Sequence, residues 1–165
     1  MSVEIQFPLE SIVQGTPVSL QAARAKSNEA WKHRVKKASY DALPDGHFST
    51  EAPISVTLFY FPDTEMRGDV DSIVKPILDA LSKHIYNDDR QVERVWVQKF
   101  EPGRIFQFAR PSEVLSQALS IAVATPTTLI EDRNVSLPRI RDEGNVVGRK
   151  INAQFSRKVA ERQPH

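Results

Sequence analysis

The chain has 165 residues, 40% of them hydrophobic and 26% charged, with a formal net charge of +1 at pH 7. That length suits one domain plus a tail, and the near-neutral balance confines any nucleic-acid footprint to a local patch. There is no cysteine, which excludes disulfides, cysteine-rich zinc sites and thiol catalysis. The first residues contain no signal-like apolar run, and no stretch approaches the roughly 18 apolar residues of a membrane span. A cytoplasmic protein with no membrane association is expected.

Val3, Ile5 and Phe7 alternate with polar residues and predict an opening strand, which Pro8 and then Gly15-Thr16-Pro17 break into a loop. Ser19 is placed to cap a helix running to about residue 40, with Trp31, Val35 and Ala38 on one face. Leu43-Pro44-Asp45-Gly46 has the chemistry of a turn. Residues 54–61 alternate Ile54, Val56, Leu58 and Tyr60 and predict a central strand.

A polar loop, 62–68, leads to a second helix over about 71–85. There Ile73, Val74, Ile77, Leu78, Leu81 and Ile85 repeat at three and four. Pro76 is tolerated near the first turn, where few amides have partners to lose. Residues 92–100 predict another strand, followed by Pro102-Gly103 and a return strand through Phe108; 112–124 predict a short helix. Beyond residue 125 the composition turns polar, rich in arginine and punctuated by proline and glycine. Residues 1–125 are therefore read as the domain, and 126–165 as a C-terminal extension of partial order with a short helix near 152–162. Fold class follows from the element order: α+β, a small mixed sheet packed with two principal helices.

The chemistry concentrates in Arg67-Gly-Asp69-Val-Asp71-Ser72 with Lys75 and Asp79, and in Tyr86-Asn-Asp88-Asp89-Arg90-Gln91-Val92. In extended backbone Asp69 and Asp71 project to the same side, and Lys75 lies one turn beyond Asp71. The double aspartate follows the same helix and begins the next strand, which folds it back toward the first pair. Three carboxylates within about 4 Å repel each other by roughly 4 kcal/mol per pair at an effective dielectric near 20. A hard divalent cation relieves that repulsion, and oxygen-only ligands select magnesium or manganese. Lys75 is placed to neutralise charge growing on a phosphate or to protonate a leaving group. The bland alternatives are helix capping for Asp69 and Asp71, a turn for Asp88-Asp89, and orientation of Lys75 for Asp79.

Asp-x-Asp, Lys75, Leu78-Asp79-Ala80-Leu81 and Asp88-Asp89-x-Gln91-Val92 together resemble the core signature of the RusA family of Holliday junction resolvases. The resemblance extends more weakly over residues 1–110. It implies a homodimeric, magnesium-dependent endonuclease, with manganese as substitute, that nicks four-way DNA junctions in recombination and repair. It places metal-binding aspartates at Asp69, Asp71 and Asp89, with Asp88 a further candidate, and the catalytic lysine at Lys75. One departure is Ser72, where the family usually has asparagine. It motivates the alternative of a catalytically weakened junction-binding protein of the same fold.

Arg24, Lys26, Lys32, Arg34, Lys36 and Lys37 crowd the first helix with a single acid, Glu29, among them. Such a stripe can contact several phosphates, and Arg67 and Arg90, flanking the carboxylates, can hold the scissile strand. The histidines stand at unrelated spacings and make no metal or triad arrangement; Trp31 and Trp96 fit core positions. An aspartyl-nucleophile phosphatase would need an apolar strand running straight into the aspartates, and residues 63–68 intervene.

Overall fold

The computed structural model describes residues 2–18, 25–66, 68–103 and 106–134. A two-residue strand β1 (Val3–Glu4) opens it, followed by β2 (Leu9–Gln14), helix α1 (Ala25–Ala42) and β3 (His47–Phe48). Then come β4 (Ile54–Phe61), a 3₁₀ turn (Val70–Ile73) running into α2 (Val74–Leu81), and a second 3₁₀ turn (Asp89–Gln91) into β5 (Val92–Lys99). Helix α3 (Glu113–Ala122) and strand β6 (Thr127–Asn134) complete it. The main sheet has the order β2-β6-β4-β5, antiparallel except for the parallel pair β4-β5. β1 and β3 form a separate parallel pair. The expected mixed α+β sheet is present, and no described helix is long and apolar enough to cross a membrane.

Alternation along the strands divides the core into two layers. Ile54, Val56 and Leu58 of β4 and Ile130 of β6 face one side, with Trp31 and Val35 of α1 and Ile77 and Leu81 of α2. Phe61 of β4, Leu129 of β6 and Phe100 face the other, beneath Leu115 and Ala118 of α3. Trp31 is thus a core residue, as its spacing with Val35 predicts.

Four sequence expectations change. β2 occupies a stretch read as loop: Leu9, Ser11 and Val13 are its buried positions, and a serine on the inward face hides the alternation. Helix α2 stops at Leu81 rather than near residue 85, because Ser82 is extended (ψ 144°) and Lys83 takes φ 74°. Ile85 keeps the helical spacing yet is buried in the turn that follows. The return strand through Phe108 is absent among the described residues; Phe106 and Phe108 instead pack their rings on Phe100, at 4.7 and 5.3 Å between centroids.

The fourth concerns the extension predicted from residue 126. β6 lies within it, and runs between β2 and β4 with a ladder to each. Its Glu131-Asp132-Arg133 run reads as solvent-facing, but a strand paired on both edges draws its stability from its neighbours as well as from its own side chains. Asp132 is 1% exposed, on the α1 and α2 side of the sheet opposite Val56. Burial pushes its carboxyl up to about 8, with a smaller contribution from Glu131, and neither oxygen has a hydrogen-bond partner among the described residues. The helix expected near 152–162 and the predicted cap Ser19 lie outside the described residues.

Candidate functional site

Asp69 is extended (φ −76°, ψ 144°), and the 3₁₀ turn begins at the next residue. Ser72 closes that turn, donating to the Asp69 carbonyl from both its amide (3.2 Å) and its hydroxyl (2.6 Å). Asp71 is therefore inside a turn, not in extended backbone, so the period-two argument for a common direction with Asp69 does not apply. Both aspartates are exposed at the mouth of α2, and neither side chain is used as a cap for the turn. Arg67 lies outside the described residues.

Across the first turn of α2 the side chains close up. The Lys75 ammonium forms an ion pair with Asp79 at i+4 and another with Asp89 Oδ2 at 3.1 Å. The second aspartate loop does fold back, and it meets the helix at the lysine. Hydrogen bonds donated to Asp79 first, and to Asp89 second, raise the Lys75 pKa above the ordinary lysine range. Among the described residues no three acidic or histidine side chains are grouped so as to hold a metal ion. Lys75, Asp79 and Asp89 are brought together; Asp69 and Asp71 stand at the start of the same helix.

The loop carrying Asp89 is tightly determined. Lys83 N–H bonds the Tyr86 carbonyl (2.6 Å), Lys83 Nζ the Asn87 carbonyl, and Ser49 Oγ the Asn87 side chain. Tyr86 is fully buried and donates its hydroxyl to the Leu78 carbonyl of α2 at 2.7 Å. Burial raises the phenol pKa, helped by the negative Asp89, Asp132 and Asp79, so the proton stays on this donor. Asp88 takes the bland role: its carboxylate caps the second 3₁₀ turn by accepting the Arg90 amide at 2.9 Å. Gln91, read from sequence only as part of a motif, completes the box by accepting the Asp88 amide.

The basic residues of α1 do not form one free stripe. Lys32 turns toward α2, 3.6 Å from Asp79 and 3.9 Å from Glu29. Lys37 pairs with Asp41 at 2.8 Å. Arg34 lies against the backbone of Gly15, where a Cβ would stand 2.5 Å from its guanidinium. Arg34 and Lys37 line an open groove of about 900 Å³ between α1 and β2. Lys26, Lys36 and Arg90 are exposed; Arg24 lies outside the described residues.

His84 has a part that sequence spacing did not reveal. It is buried, 2.6 Å from the Ser39 hydroxyl of α1 and stacked on Tyr40 at 4.7 Å. Burial, then the positive Lys36, lowers its pKa to about 4. A neutral imidazole thus pins α1 to the turn leading to Asp89.

No curated protein sequence matches this chain. A family model described as Endodeoxyribonuclease RusA matches residues 13–106. The match takes in α1, β4, both aspartate loops, α2 and β5, and it spans more than half of the chain. The chain belongs to the RusA endodeoxyribonuclease family.

Proposed function

We propose that the protein is a magnesium-dependent endodeoxyribonuclease that resolves four-way DNA junctions by paired nicking, as a homodimer, in recombination and repair. The observation that carries this reading is the meeting of Lys75 with Asp89 beside the helix start that bears Asp69 and Asp71, in a chain of this family. Asp69, Asp71 and Asp89 are exposed carboxylates and offer only oxygen, a donor set that suits magnesium or manganese over softer metals. Those three would hold the ion, with Asp88 a weaker candidate because its carboxylate already accepts a backbone amide. When bound, the ion supplies Lewis-acid charge at the scissile phosphate.

The chain's own groups do the rest. Lys75 keeps its proton through neutral pH, since both carboxylates favour the charged form. Its Nζ then neutralises charge on the phosphate, or passes a proton to the departing oxygen. Lys26, Lys36 and Arg34 of α1, with Arg90 beside Asp89, contact backbone phosphates and so position the junction without reading its sequence. Two nicks related by a two-fold axis need two such sites, hence the dimer. The test is cleavage of a synthetic four-way junction with magnesium or manganese at low salt, abolished in Asp71→Asn. Intact junctions with the unaltered protein refute the nuclease reading.

A second reading, a junction-binding protein with weakened catalysis, is favoured by the Ser72 hydroxyl. It bonds the Asp69 carbonyl and orients no carboxylate. On that reading Ser72→Asn increases cleavage at unchanged junction affinity.

A further inference from the structure

Asp89 reaches Lys75 from a loop, and one side chain ties that loop to the sheet. The Gln91 carboxamide oxygen accepts the amides of Asn87 at 2.8 Å and Asp88 at 3.0 Å. Its nitrogen donates to the carbonyls of Thr50 at 2.8 Å and Ala52 at 3.1 Å. A carboxamide has two donors and two acceptor positions, and here all four are used. The acceptor half grips the two residues before Asp89. The donor half grips the approach to β4, the strand that pairs with β5.

A cap alone would need only the acceptor half. Glutamate keeps the acceptors but cannot donate, lysine and arginine donate but cannot accept, and asparagine is a methylene shorter. The side chain that does both jobs lies two residues from Asp89, so it sets where the Asp89 backbone stands relative to α2. We propose that Gln91 is a positioning residue for a metal ligand: it holds the Asp89 carboxylate where it meets Lys75, on the helix whose start bears Asp69 and Asp71. This rests on the metal reading of the site given above.

The test uses the full chain and manganese alone as the probe, followed by electron paramagnetic resonance. Gln91→Glu is nearly isosteric, removes both donors and sets an oxygen against two carbonyls; Gln91→Ala is the milder form, which admits water to the four groups. Partners that orient a metal ligand without touching the metal are typically worth about 10–100-fold in affinity. Manganese affinity is expected to fall at least about tenfold in Gln91→Glu, with the half-saturating manganese for cleavage rising by the same factor. Junction affinity measured without divalent metal stays unchanged. Ile130→Val, in the core of β6, serves as a control whose lower melting temperature comes from elsewhere. Unchanged manganese affinity in both Gln91 variants, with affinity lost in Asp89→Asn, overturns the positioning role alone. An equal loss in Ile130→Val at a matched melting temperature also overturns it, as general loosening. Wild-type affinity in Asp89→Asn, or no manganese binding by the unaltered protein, overturns the metal reading and this proposal together.

Discussion

Lys32 on α1 and Asp79 on α2 stand 3.6 Å apart, and the same aspartate holds Lys75, which in turn meets Asp89. Charges of alternating sign therefore run from the basic helix to the second aspartate loop. Asp79 is the shared anion, accessible to solvent on about a third of its side chain (31%).

Asp79→Asn removes the larger cause of the raised Lys75 pKa and the tie to Lys32. Pairs this exposed contribute about 0–1 kcal/mol to stability, so the urea midpoint should barely move. Cleavage should nevertheless fall about tenfold, through loss of positioning. A large drop in stability with full activity would reverse that assignment.

Replacing Lys75 separates ion binding from chemistry. Lys75→Met frees Asp89 of its ammonium partner, so manganese should bind at least as tightly as to the unaltered protein. Junction cleavage should drop by about 10²–10³, the usual cost of losing one electrostatic contact to the transition state. Manganese titration and single-turnover cleavage measure the two halves, and weaker manganese binding would contradict the ion-pair geometry.

Asp132 gives a stability prediction with a definite sign. Its folded pKa of about 8 lies above the ordinary 3.8, so its contribution is complete below pH 4 and is lost as pH rises toward 8. Asp132→Asn removes the buried charge and keeps the shape. It should flatten this dependence and leave the protein more stable than wild type at pH 8 by on the order of a few kcal/mol, each unit of raised pKa corresponding to about 1.4 kcal/mol. At pH 4 the two should match. Urea unfolding at the two pH values decides.

His84 acts in the opposite direction. Its folded pKa of about 4 lies below the ordinary 6.5, so its contribution is present above pH 6.5 and is lost as pH falls toward 4. His84→Phe removes that acid sensitivity at the expense of Ser39, whose buried hydroxyl keeps only the Lys36 carbonyl. A melting-temperature profile from pH 4 to 7 should be flatter in the variant, and an unchanged slope would assign the acid response to another group.

Sequence periodicity exposed α1, β4, α2 and α3, whose inward apolar residues keep the period although Ser39 and Ser55 are buried as well. It failed in β2 and β6, where Ser11 and Asp132 stand at inward positions and the alternation is one of location and not of hydropathy. The site divides in the same way. The return of the second aspartate loop to the helix preceding it followed from the order of the chain; that Asp89 there meets Lys75, and among the described residues makes no three-carboxylate group with Asp69 and Asp71, did not. The turn at Val70–Ile73 did not follow, since a single serine hydroxyl bonding back to Asp69 decides it. His84 and Gln91 act through partners 45 and up to 41 residues away, a separation that local spacing does not encode.

β6 is last in chain order among the described strands but second in the sheet, and β2 joins β4 only through it. A ribosome therefore makes β2 and β4 long before the strand that lies between them. Until residues 127–134 arrive, both neighbours present bare edges along which their eventual ladders must form. Such late, long-range pairing is slow, and unpaired edges attract other chains. The nascent protein is most exposed to mispairing just before its sheet closes.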